Sequence, residues 1–248
     1  MPSSSKILYI HYLFKMTTIL DAIDSYVFEY RHVNRSFVRD VLLGKSNRES
    51  LQRWAVQKYH QVYEQNRTFS AIHSNSPYED VRQFMVEQLI AEETALEAGS
   101  ASHYELMKRF AISMGATPDE IRVSKPSEAV QRFLSFMMEM CRQPSFLDGM
   151  LPIYINESQA QESAGRLYVY LRDHYRLGDW ELEWFVVHSE VDKDHSKRAR
   201  DLMLKYSAYD QGFAERAMAI AKRACNEWLL LHDFYGSLLE GNLNQRSA

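Results

Sequence analysis

The sequence predicts an all-α, single-domain fold of about seven to eight helices, and three observations carry that prediction. Apolar residues recur at helical spacing through almost the whole chain, and no segment shows the alternation of a half-buried strand. Glycine and proline are scarce, 9 and 6 among 248 residues, so turns are few. The composition, 46% hydrophobic and 12% aromatic, is ample for one sizeable core, and no break is long enough to be a domain linker.

Taken in order, the chain opens with MPSSSKILYIHYLFK, whose apolar patch is too short and too polar to span a bilayer and is followed by no small-residue cleavage site. Met16 stands directly before the first helical pattern. It is a candidate start, which would make residues 1–15 a disordered arm and 16–248 the helical domain. The first helix is expected over 17–31, and the second, over 48–73, follows Lys45-Ser46-Asn47. Asn75-Ser76-Pro77 separates it from a third over 78–98, and a fourth over 100–115 starts near Ser100 or Ser102 and stops at GATPDE, 115–120. KPSE at 125–128 opens a fifth over 127–141, and a sixth runs over 146–173. RLGDW at 176–180 precedes a seventh over 178–206, and the last covers 210–240.

A formal net charge of −4 with interspersed signs leaves no basic patch for nucleic acid and no polybasic membrane anchor. Cys141 and Cys225 lack metal-type or redox-type spacing and sit in apolar helical contexts, as buried thiols of a reducing cytoplasm do. The expected partner is a small molecule or a protein.

Against this apolar background several polar residues fall on core faces. In HSEVDKDHSKRA, 188–199, His188, Asp192 and His195 share a face with Trp184, Phe185, Val191, Ala199 and Leu202, while Glu190, Lys193, Asp194, Lys197 and Arg200 take the opposite side. A buried carboxylate needs a partner, so Asp192 either orients a histidine within a satisfied polar network or helps hold a metal. His103 heads the stripe of Leu106, Met107, Phe110 and Met114, where, taken alone, it reads as a hydrogen-bonded core histidine before it reads as a ligand. Of the adjacent acids, Glu93 projects among Val86, Leu89, Ile90 and Leu96 and is the stronger inward candidate, with Glu92 the alternative. Glu157 lies with Met150, Ile153, Tyr154, Ala160, Ala164, Tyr168 and Leu171, where the two alanines leave room for a cavity or for a closely crossing helix. Glu64 falls opposite the stripe of Leu51, Ala55, Val62 and Phe69, so periodicity alone reads it as exposed.

Taken together, VYEQ, the Glu92-Glu93 pair, a histidine ten residues after its second acid, NESQ and finally His-x-x-x-Asp-x-x-His resemble the haem-oxygenase-like diiron oxidases and oxygenases. The similarity covers roughly residues 36–205. It implies a haem-oxygenase-like helical bundle, with Glu64, Glu93, His103, His188, Asp192 and His195 as iron ligands. Glu157 is implied as a further ligand or as a substrate contact. The wider superfamily includes a thiaminase and a quinone-cofactor synthase that need no metal, and members of the metal-free branch share the Glu157 context. Carboxylates with imidazoles suit iron or manganese, whereas a structural zinc site favours thiolates.

The resemblance thus implies a cytoplasmic oxidase of natural-product biosynthesis that binds two Fe(II), or manganese, and uses dioxygen to oxidise a small amino acid or carboxylic acid. Desaturation, C–C cleavage and N-oxygenation are the outcomes it allows, and an electron donor and a homodimer are compatible with it. Glu157, Tyr63 and Tyr154 are the catalytic candidates, and Arg67, Arg132 and Arg166 are candidate partners for a substrate carboxylate. The para-aminobenzoate synthases of the family carry a lysine where this chain has Leu167, so that activity is not expected. The competing readings are a metal-free enzyme using Glu157 as acid and base, and a non-enzymatic helical binding protein.

Overall fold

Eleven α-helices and no strand occur among the residues described by the computed structural model, which are 4–96, 99–190, 192–210 and 212–240, with the side chains of 4–13, 32, 190 and 192–194 excepted. They are α1 (Ser4–Glu29), α2 (Ser36–Leu42), α3 (Arg48–Asn75), α4 (Glu79–Glu93), α5 (His103–Ser113), α6 (Pro118–Val123), α7 (Glu128–Cys141), α8 (Phe146–Tyr175), α9 (Asp179–Glu190), α10 (Asp192–Ser207) and α11 (Phe213–Glu240). Helix α1 runs without a break past Met16, which is fully enclosed. The expected helix over 178–206 is divided into α9 and α10, on either side of residue 191, which lies outside the described residues.

Local chemistry sets the boundaries that matter for the site. Asn47 and Ser50 form a reciprocal cap at the start of α3: Ser50 N–H donates to Asn47 Oδ1 at 2.8 Å and Asn47 N–H to Ser50 Oγ at 2.9 Å. Helix α6 opens the same way, with Glu120 N–H donating to Thr117 Oγ1 at 3.1 Å and Pro118 beginning the turn. Helix α4 ends at Glu93, short of the expected 98, because Thr94 turns extended (φ −134°, ψ 174°) while its hydroxyl donates to the Ile90 carbonyl. Glu93 therefore occupies the last position of α4, and the chain leaves the helix before reaching His103.

Two long helices organise the packing. Helix α3 carries α4, α5 and α7 around it, α8 carries α9, α10 and α11, and contacts of α5 with α9 and of α3 with α11 close the bundle. At the closure an aromatic core joins five helices. Phe37 stacks on Trp54 with centroids 4.5 Å apart, Trp54 meets Phe110 edge-on at 5.9 Å, Phe110 meets Phe185 at 5.1 Å, and Tyr235 lies against Trp54 at 6.3 Å. Each enclosed ring contributes about 1.5–3 kcal/mol by leaving water. The corner between α7 and α8 is equally tight, since a Cβ on Gly149 would stand 2.7 Å from Cys141 Cα. No described helix is long and apolar enough to cross a membrane.

Candidate metal centre and its cavity

Between α3 and α8 lies a cavity of about 80 Å³. Lys58, Gln61, Gln65 and Asn66 line it from α3, and Asn156, Glu157, Ala160, Ser163, Ala164 and Leu167 from α8. The space beside Glu157 is therefore a cavity that Ala160 and Ala164 help to open, and not a close helix crossing.

At one end three side chains converge. One donor atom each from Glu92, His103 and His188 lies within 4.8 Å of the others. His103 Nδ1 is 3.1 Å from Glu92 Oε1, and the two imidazole centroids are 4.7 Å apart. Glu92 comes from the last turn of α4, His103 is the first residue of α5 and His188 is near the end of α9, so the cluster forms only when three helices assemble. His188 Nδ1 bonds the Trp184 carbonyl at 2.7 Å, and its ring stacks on the Trp184 indole at 4.0 Å. Since a carbonyl only accepts, Nδ1 carries the hydrogen and Nε2 keeps its lone pair for a ligand.

The electrostatics favour a cation. Burial, with the neighbouring His103, pushes His188 down to about 3, so it stays a neutral imidazole over the physiological range. Burial alone would raise the Glu92 carboxyl, but His103, with smaller help from His188 and Lys58, holds it below the usual carboxylate range. Glu157, 8% exposed, and His195 line the same cavity, and His195 rests edge-on against Phe84 at 6.3 Å. Two buried amides of the wall, both amide atoms of Asn66 and the Nε2 of Gln88, have no hydrogen-bond partner, which a packed core would not leave so. A neutral imidazole, an ionised carboxylate and unmatched amides fit a metal ion with its waters, and the mixed oxygen and nitrogen set suits iron or manganese.

The structure places the expected residues unevenly. It brings His103, Glu157, His188 and His195 to one cavity, and it brings Glu92 there in place of Glu93, which is exposed at the end of α4. Glu64 stays outside, 37% exposed and paired with Arg67 at 3.0 Å, as periodicity alone had read it. The side chain of Asp192 lies outside the described residues. Neither Tyr63 nor Tyr154 lines the cavity. Tyr63 is 48% exposed and packs on Tyr104, and the Tyr154 hydroxyl donates to Asp24, where burial raises its pKa. Met150, Ile153, Tyr168 and Leu171 do not line it either; the apolar part of its wall comes instead from Phe37, Val62, Phe69, Leu167, Trp184 and Trp228. Lys58, Gln61, Asn66 and Gln88 were missed. The first three form a polar stripe on α3 whose only signal is its spacing, and soluble helices show such stripes on their solvent faces as a rule.

The arrangement defines a class: a haem-oxygenase-like helical bundle with a buried carboxylate and imidazole site. A domain with a heme oxygenase-like fold from Shewanella denitrificans superposes with a TM-score of 0.72 at 14% identity, covering 94% of this chain and 95% of that one. A TenA homologue from P. horikoshii does so at 0.69 and 16% identity, covering 90% and 99%. The chain belongs to the family of iron-containing redox enzymes, whose model matches residues 52–228. Relatives include a 4-aminobenzoate synthase of Chlamydia trachomatis, 26% identical over 74% of this chain and 78% of its own length. One of Nitrosomonas europaea is also 26% identical, over 74% and 76%.

Proposed function

We propose that the chain is a cytoplasmic, dioxygen-dependent diiron oxidase that oxidises a small amino acid or carboxylic acid by desaturation, C–C cleavage or N-oxygenation. The observation that carries this reading is the convergence of Glu92, His103 and His188 within 4.8 Å in a cavity that Glu157 and His195 also line. Five described donors exceed what one ion with open positions needs. Glu92, His103 and His188 would hold one Fe(II), and Glu157 and His195, with Asp192 on the strength of the resemblance, the second. Iron bound there would supply dioxygen activation, with manganese the alternative metal.

The chain's own residues supply the rest. The Trp184 carbonyl aims His188, Phe84 packs against His195, and the buried setting keeps bulk water from the reacting atoms. Besides dioxygen and substrate, an electron donor is required for outcomes that yield fewer electrons than full reduction of dioxygen consumes. The relatives' name puts aromatic amino acids among the compounds to test, although Leu167 lines this cavity.

The experiment is anaerobic loading with Fe(II), followed by metal analysis and rapid mixing with dioxygen in the presence of candidate acids. Two irons per chain and an acid-dependent rate of dioxygen consumption are expected. Absence of bound iron after loading would leave the metal-free and ligand-binding readings.

A further inference from the structure

Among the described residues the cavity has one lysine or arginine in its wall, Lys58 of α3. The three arginines that the sequence offers for a substrate carboxylate are occupied elsewhere and at least half exposed. Arg67 pairs with Glu64 at 3.0 Å, Arg132 with Glu227 at 2.9 Å and Arg166 with Glu162 at 2.6 Å, at 67, 59 and 50% exposure. None of them lines the cavity.

Lys58 is also aimed. Its ammonium donates to Gln61 Oε1 at 2.9 Å, and the Tyr235 hydroxyl donates to the same oxygen at 3.0 Å. An ammonium only donates, so the amide oxygen must face it, and Gln61 Nε2 is in turn committed to Gln65 Oε1 at 2.8 Å. The ammonium lies over two indoles, 5.3 Å from the Trp184 ring centroid and 5.9 Å from that of Trp228. Trp184 carries His188 stacked on it at 4.0 Å. A cation, an aromatic ring and a candidate iron ligand thus follow one another in contact, and all three line the cavity.

We infer that Lys58 is the anchor for the substrate's carboxylate, holding a small acid whose remaining atoms pass across Trp184 toward His188. The inference deepens the oxidase reading and rests on it for the chemistry at the His188 end; the anchor itself stands on the cavity. It narrows the substrate class as well. A cavity of about 80 Å³ favours a compact acid over a long acyl chain.

The test measures binding of butyrate, its neutral isostere butyramide, and decanoate to metal-free and to anaerobically Fe(II)-loaded protein, using quenching of tryptophan fluorescence and saturation-transfer NMR. Wild type should bind butyrate at least about tenfold more tightly than butyramide, and more tightly than decanoate. Lys58→Met should remove the preference for acid over amide while keeping the wild-type helical spectrum and iron content. Lys58→Arg should restore part of the preference. Equal affinity for acid and amide in wild type, or an unchanged preference in Lys58→Met, overturns the anchor. Loss of iron in Lys58→Met also overturns it, because the lysine would then serve the metal cluster. Should wild type bind no iron yet bind butyrate through Lys58, the diiron reading fails and the anchor stands.

Discussion

Asp148 and Glu157 lie on the same helix and are equally enclosed, each 8% exposed, yet their surroundings differ in kind. Asp148 accepts from Arg216 Nε at 2.7 and 3.0 Å. The same guanidinium grips Asp210, which also accepts from Ser145 Oγ at 2.6 Å. That acid has its acceptors committed to a fixed planar donor, and its job is to tie α8 to the start of α11. Glu157 faces the cavity shared with two imidazoles of the cluster and with amides that have no protein partner. Burial of a carboxylate is therefore uninformative by itself; what surrounds it, a committed guanidinium or a cavity shared with imidazoles, separates a structural acid from a candidate ligand.

The largest effect should come from the cavity. His103→Ala, His188→Ala and Glu92→Gln should each weaken Fe(II) binding by at least about 100-fold, read by competition against a chelator, with the helical spectrum retained. Glu93→Gln and Glu64→Gln should leave iron affinity unchanged. If Glu93→Gln loses iron and Glu92→Gln does not, the placement of the two acids is reversed.

Arg216→Met should do the opposite. It strands Asp148 and Asp210 and should cost about 2 kcal/mol in urea unfolding, reduced by the partial exposure of Arg216, with iron content unaffected.

The third effect is pH dependence of the metal-free protein. His188 is pushed from 6.5 to about 3, so between those values the unfolded chain binds a proton that the folded one refuses. Stability should fall as pH drops through that window, by at most about 1.4 kcal/mol per pH unit. Glu92, held low, adds to the loss at the acid end of the window, whereas Asp148, raised by burial, works against it there. His188→Gln should flatten the slope of the unfolding midpoint between pH 6 and pH 4; an unchanged slope would assign it to other groups.

The long helices were legible because several turns repeat the apolar spacing. Helices α2 and α6, of 7 and 6 residues, are too short for that, although the Thr117-x-x-Glu120 signal of α6 stood in the sequence. The histidines were legible because an imidazole heading an apolar stripe has few other places to go. Glu93 misled because the reading extended α4 to residue 98, past the turn where Thr94 leaves the helix. Tyr154 misled for another reason: α8 is surrounded, so its apolar residues face several neighbours, and Tyr154 turns toward Asp24 of α1. Lys58 was invisible because a lysine in a polar stripe looks solvated until the helices opposite it are placed.

The bond between His188 Nδ1 and the Trp184 carbonyl has a consequence for how such a site can evolve. Its acceptor belongs to the main chain, so no exchange of one side chain for another deletes it, and the donor strength of His188 is insulated from mutational drift. His103 faces the Glu92 carboxylate instead, a partner that a single codon change can swap for an amide. Variation among descendants of this protein, and deliberate tuning of the candidate metal site, therefore have their accessible handle at α4 and α5, while α9 keeps its candidate ligand on a setting that is inherited with the helix itself.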